Sequence, residues 1–218
     1  TRYSTTGDSA ILNAQPIMVQ SNKGMIALAH NGNLTNAQDI RARMEAQGSI
    51  FQTTSDTEVI VHLIAQSREQ TLPDAMADAL RRVEGAFSLV MISPDRIFAA
   101  RDPRGFRPLA MGRIRAQGEQ RQDTIVFASE TCAFDLIGAT YEREVKPGEL
   151  VIVGPEGTTS RFYASAMPQS SCIFEHVYFS RPDSRVFGRS VQESREELGR
   201  QPGLPDARVA FVGDTAGI

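Results

Sequence analysis

The chain has 218 residues, enough for one large domain or one and a half small ones, with an ample core. Its 41% hydrophobic and 22% charged residues are ordinary for a globular protein, and a net charge of −3 with no basic stripe argues against nucleic acid as a partner. No apolar run reaches the ~20 residues of a membrane span. Thr1-Arg2-Tyr3-Ser4 does not read as a signal peptide, and two cysteines, Cys132 and Cys172, make no disulfide framework, which fits a reducing cytoplasm.

Residues 1–13 read as a polar loop. Residues 16–20 and 25–29 flank Ser-Asn-Lys-Gly and are predicted to form a hairpin. The second strand is expected to stop at His30-Asn31-Gly32-Asn33, where Asn-Gly is turn chemistry and Asn33 could cap a following helix. Apolar residues at helical spacing predict helices over 35–47, 58–68 and 73–84, with Ser55 and Glu58 in the pattern of a capping box. The period then becomes extended. Strands are predicted over 86–93, 97–100, 108–112, 124–128 and 149–153, with a short helix over 130–137. Further strands are expected over 162–164 and 172–179, then a helix over 190–200 and a last strand over 209–212. Helices first and antiparallel-looking strands second make an α+β arrangement, with a boundary at 180–184.

Four polar clusters could carry chemistry: Arg2 to Thr6, Asn31-Gly32, Ser55 to Glu58, and Arg101 to Pro108. Singly, each has a plain structural explanation: a terminal cation, a turn, a helix N-terminus that favours a carboxylate, a solvated loop. Three scattered histidines with no His-x-x-x-His pair give no metal site, and Cys132 reads as a packed residue of a short helix. Together, Arg2, Asn31-Gly32 and Asp56 suit an α-amino acid whose side-chain amide is attacked. A guanidinium binds the α-carboxylate, a carboxylate binds the α-ammonium, and an amide side chain with a Gly N–H polarises the carbonyl. That is the recognition problem posed by glutamine.

The motifs Arg2-Tyr3-Ser4-Thr5, His30-Asn31-Gly32-Asn33-Leu34 and Phe51 to Val59 resemble the glutaminase domain of class II amidotransferases, N-terminal nucleophile hydrolases that use a cysteine at chain position one. Asp102 to Leu109, Ala128 to Asp135, Val145 to Glu149 and Phe174 to Ser184 narrow the resemblance to the phosphoribosylpyrophosphate amidotransferase family. The resemblance implies a four-layer αββα sandwich over 1–180, incomplete at its N-terminal side, and over 181–218 a linker helix and the beginning of an α/β phosphoribosyltransferase domain. It implies that Arg2 binds the α-carboxylate of glutamine, Asp56 its α-ammonium, that Thr5 lines the pocket, and that Asn31 and Gly32 form the oxyanion hole. It implies ammonia transfer to phosphoribosylpyrophosphate to give 5-phosphoribosylamine, the first committed step of purine synthesis, with Mg2+ at the transferase site and a homo-oligomeric complete enzyme. Cys172 aligns with a position that ligates a [4Fe–4S] cluster in some members.

The N-terminal cysteine does not appear in the sequence, and Thr1 precedes the Arg of the glutamine loop, a position the family does not use for attack. The chain is therefore expected to be an internal fragment without glutaminase activity of its own. Glutamine–fructose-6-phosphate aminotransferase shares the Arg, Asn-Gly and Asp-Thr-Glu positions but not the Ser129 to Asp135 motif. An inactive glutaminase-like interaction module is the reading outside enzymes.

Overall fold

A computed structural model describes residues 10–116, 118 and 122–200. The chain enters through a 3₁₀ turn, Ile11–Asn13, and a hairpin of β1 (Ile17–Ser21) and β2 (Gly24–Leu34). Helices α1 (Ala37–Ala46), α2 (Thr57–Gln66) and α3 (Leu72–Arg82) follow. Thr71 caps α3, its hydroxyl accepting the Asp74 N–H at 3.2 Å, and Pro73 sits in the first turn, where a missing N–H costs nothing. Then come β3 (Gly85–Ile92), β4 (Ile97–Arg101), β5 (Ala110–Ile114) and β6 (Thr124–Ala128). Helix α4 (Cys132–Leu136) and strands β7 (Thr140–Glu144), β8 (Glu149–Gly154) and β9 (Gly157–Phe162) complete the sheets. A small hairpin, β10 (Arg185–Val186) with β11 (Arg189–Ser190), leads into α5 (Val191–Gly199).

Among the described residues these strands form two main antiparallel sheets, ordered β1-β2-β3-β4-β8-β9 and β6-β5-β7. Strand alternation gives the larger sheet two apolar faces. On one face Ile26, Leu28, Phe87, Leu89, Phe98 and Leu150 pack against Ile60, Leu63, Ile64, Met76 and Leu80 of α2 and α3. On the other, Val90, Ala99 and Val151 meet Met111, Ile125 and Val145 at the smaller sheet. The far side of the smaller sheet, through Ala110 and Val126, is covered by Phe134 of α4. Helices, sheet, sheet and helix make the four-layer αββα sandwich.

Several expectations need correction. β2 does not stop at His30: it runs on to Leu34, pairing Asn31 with Ser88, Gly32 with Phe87 and Asn33 with Ala86. Gly32 makes this continuation feasible. Its φ of +135° is open to glycine, and a Cβ there would lie 1.9 Å from the Ala86 carbonyl oxygen. The capping box at Ser55 does not form. Glu58 instead reaches back to the preceding loop and accepts the N–H groups of Gln52 and Thr53, both at 2.8 Å, and the Thr53 hydroxyl at 2.7 Å. The stretch 172–179 is not a strand but enters a π-helical turn, Glu175–Phe179, closed by the Ser180 N–H on the Glu175 carbonyl and tied down by Arg107 on the Glu175 carboxylate. Of the strand expected over 162–164 only Phe162 is extended, as the last residue of β9, which starts earlier at Gly157; β7 adds a strand that sequence reading missed. The strand expected over 209–212 lies outside the described residues.

The Arg101–Pro108 segment is no solvated loop. Arg101, 1% exposed, directs its guanidinium to the carbonyls of Gly105, Arg107 and Val145 and to the Glu144 carboxylate, all within 2.8–3.0 Å. The buried Asp102 carboxylate accepts the N–H groups of Arg104 and Phe106 at 2.9 Å and of Phe87 at 3.3 Å. Burial raises the Asp102 pKa, and these N–H bonds only partly offset it.

Candidate active site

The candidate site lies where β2 outruns β1. The last β1–β2 pair is Ile17 with Leu28, so from Ala29 to Leu34 the outer edge of β2 has no strand beside it among the described residues. Strand alternation turns the N–H groups of residues 30, 32 and 34 to that edge. Side chains take the two flanking ones: His30 N–H donates to Gln15 Oε1 at 2.7 Å, and Leu34 N–H to Asp56 Oδ2 at 2.9 Å. The Gly32 N–H lies between them.

Asp56 sits at the start of α2, only 5% exposed. Burial pushes its pKa up, but the His30 imidazole and the Leu34 N–H outweigh that, and the carboxyl titrates below its ordinary 3.8. It is a carboxylate at neutral pH. His30 Nδ1 is 3.7 Å from Asp56 Oδ1 and 3.1 Å from Thr57 Oγ1, and its buried Nε2 has no hydrogen-bond partner. Gln15 also donates to Thr57 Oγ1 at 3.2 Å, and Asn13 exchanges two bonds with Thr54. The segment before β1 thus straps down the loop that carries Asp56.

On the opposite face of β2, the exposed Asn31 side chain donates through Nδ2 to Ser129 Oγ at 3.3 Å. Ser129 follows the last residue of β6, Ala128. Of the residues singled out from sequence, the structure brings Asn31, Gly32 and Asp56 within one stretch of β2 and its neighbour α2. Arg2 and Thr5 lie outside the described residues. His30, Gln15 and Ser129 were missed as site neighbours. The His30 signal was available in its adjacency to Asn31, while nothing in the sequence pairs Gln15 or Ser129 with this strand.

Neither cysteine has the setting of a nucleophile. Cys132, half-buried rather than packed in the core, sits 3.8 Å from Glu130 Oε2, and burial raises the pKa of its thiol. Cys172 is buried, and among the described residues no group of three or more His, Cys, Asp or Glu side chains could hold a metal. A cluster at Cys172 would need its other ligands from outside the described residues. No helix among the described residues is long and apolar enough to cross a membrane.

A four-layer sandwich with an amide side chain, a strand-edge N–H and a buried carboxylate at one end of its sheet defines a glutamine amidotransferase domain. The family profile of that description matches residues 2–135, and the chain belongs to this family. It is 51% identical over 198 residues to amidophosphoribosyltransferase 1, chloroplastic, of Arabidopsis thaliana, covering 91% of this chain and 34% of the relative. It is 45% identical over 200 residues to the amidophosphoribosyltransferase of Bacillus subtilis, covering 91% and 40%. The solved structure of glutamine phosphoribosylpyrophosphate amidotransferase from B. subtilis, complexed with ADP and GMP, superposes with a TM-score of 0.81 at 44% identity, over 88% of this chain and 41% of that one. The chain spans roughly a third to two-fifths of the length of these relatives.

Proposed function

We propose that this chain is the glutamine-hydrolysing part of an amidophosphoribosyltransferase, delivering ammonia to phosphoribosylpyrophosphate to make 5-phosphoribosylamine in the cytoplasm. The observation that carries the reading is the unpaired edge of β2, where the Gly32 N–H lies beside the Leu34 N–H that the buried, ionised Asp56 accepts, with the Asn31 amide on the adjoining face of the same strand. The identity to named amidophosphoribosyltransferases supports the substrate pair.

In this reading the thiolate of an N-terminal cysteine attacks the side-chain amide carbon of glutamine. Asn31 Nδ2 and the Gly32 N–H take the negative charge that develops on the amide oxygen. The proton given up by the thiol passes to the amide nitrogen, so collapse of the tetrahedral intermediate expels ammonia and leaves a γ-glutamyl thioester, which water hydrolyses to glutamate with return of the free thiol. Asp56 holds the α-ammonium. Arg2 pairs with the α-carboxylate and Thr5 lines the same pocket. The phosphoribosylpyrophosphate site, with the Mg2+ it would bind, belongs to the transferase part and not to the described residues.

The test is glutamine hydrolysis by the full-length protein with phosphoribosylpyrophosphate and Mg2+, followed as ammonia and pyrophosphate release. Asn31→Ala should lower the glutaminase kcat by ~10²–10³, the cost of losing one oxyanion donor. Near-normal turnover in that variant would refute the assignment.

A further inference from the structure

We infer that Ser129 is a positioning residue of the oxyanion hole, fixing the direction in which the Asn31 amide presents its free N–H. The inference rests on the reading of Asn31 given above and adds to it the group that aims this donor.

A carboxamide carries two N–H donors in one plane. Its terminal torsion is broad, so an exposed Asn with no anchor rotates and pays to be ordered each time charge develops on the substrate. Asn31 is exposed, yet one of its two N–H groups is committed to Ser129 Oγ at 3.3 Å. With that bond made, the amide plane is set and the second N–H has a fixed aim. A preorganised donor stabilises an oxyanion better than one that must reorient.

Ser129 can serve as an anchor only if it is itself held, and the structure holds it from both sides. Before it, β6 ends in Ala128, paired with Ala110 of β5. After it, the Glu130 carboxylate accepts the Arg181 N–H at 2.7 Å and the Ser184 hydroxyl at 2.9 Å, and Thr131 Oγ1 accepts the Arg185 N–H at 2.9 Å. The turn 129–131 is therefore a bracket between the second sheet and the segment 181–185. Asn31 hangs on its first residue, 98 positions away in sequence. Ser129 itself is only half-buried and lies in none of the three apolar clusters, so its hydroxyl can be removed without opening the core.

The experiment uses the full-length protein and four variants: Ser129→Ala, Ser129→Thr, Asn31→Ala and the double Ser129→Ala/Asn31→Ala. Ser129→Ala should lower the glutaminase kcat about 10- to 30-fold, less than deletion of the donor itself, with KM for glutamine within about twofold of the parent. Ser129→Thr, which keeps a hydroxyl, should recover most of the rate. Removing the hydroxyl in the Asn31→Ala background should cost nothing further, because the group it aims is gone. A role confined to folding would instead lower kcat by the same factor in both backgrounds and shift the melting temperature. If Asn31→Ala is impaired while Ser129→Ala keeps the parental kcat, or if the two losses multiply, the role of Ser129 is refuted and that of Asn31 stands. If Asn31→Ala keeps full turnover, the oxyanion reading itself falls, and this inference with it.

Discussion

Replacing Gly32 by Ala tests the geometry on which the site depends. A Cβ at this position would sit 1.9 Å from the Ala86 carbonyl oxygen and 2.8 Å from its carbon, whereas ordinary contact begins near 3.4 Å. The obstacle is main chain of the neighbouring strand, so no side-chain rotation relieves it. Across the ladder, Gly85 is in the reciprocal position, a Cβ there meeting the Asn33 carbonyl oxygen at 2.2 Å. The strands are therefore pressed together from both sides. An L-residue held at φ +135° costs about 1–3 kcal/mol, and forcing β2 away from β3 adds about 1–3 kcal/mol of overpacking. At roughly 2–4 °C per kcal/mol, a total of about 2–6 kcal/mol lowers the melting temperature by about 4–24 °C. The same displacement moves the Gly32 N–H, and turnover should fall by ~10²–10³ even in the folded fraction. Gly24→Ala is the control: its φ is +97°, but a Cβ there meets nothing within 4 Å, so only the strain is felt and glutaminase turnover is retained. Thermal melting by circular dichroism and ammonia release measure the two effects. A Gly32→Ala variant with a melting temperature within about 1 °C of the parent and turnover within about twofold would refute the close-approach argument.

Three further outcomes are expected. Because the Asp56 pKa is lowered in the folded state, the unfolded chain binds more protons as pH falls through 3.8; the stabilisation is present above that pH and lost below it, down through the folded value. Urea unfolding between pH 5 and pH 3 should accordingly show a shallower loss of stability in Asp56→Asn than in the parent, and equal slopes would contradict the ionised carboxylate. Arg101→Leu strips three carbonyls and Glu144 of their donor and should destabilise by about 3–5 kcal/mol, seen as a large drop in melting temperature or in soluble yield; an unchanged melting temperature would contradict a structural role for these four bonds. Glu58→Ala leaves the Gln52 and Thr53 N–H groups without their acceptor and should cost about 1–3 kcal/mol by denaturant unfolding, with a higher KM for glutamine as the loop before Asp56 loosens.

The helices α2 and α3 and the strands β3, β4 and β8 were legible in the sequence because each buries a continuous apolar face, and burial is what periodicity records. β7 and β9 were not, since Thr140, Tyr141 and Glu142, like residues 157–160, are exposed on edge strands and carry no alternation. The 172–179 stretch misled for the opposite reason. Its apolar residues looked like a buried strand, yet Val177, Tyr178 and Phe179 are exposed, and the turn is set by the bonds of Glu175 to Arg107 and Ser180. Asn31-Gly32 resembles a turn on composition alone. Only the approach of β3 reveals why a strand needs glycine there. Asp56 could be named from its local pattern, whereas the partners that aim and ionise the site come from Gln15, His30 and Ser129, whose pairing is purely tertiary.

The reach of Arg101 has a consequence for how the domain folds. Its bonds to Glu144 and Val145 span 43 and 44 residues, and they join the last residue of β4 to the exit of β7 in the other sheet. Until β7 has arrived, the guanidinium has only the local Gly105 and Arg107 carbonyls and no carboxylate partner, and a buried charge so incompletely paired is better left in water. Neither sheet can reach its final packing before the other, so the two should melt in one cooperative transition. During synthesis the strands up to β7 should stay loosely packed, settling only when the chain has supplied Val145 and the strands β8 and β9 that complete the larger sheet.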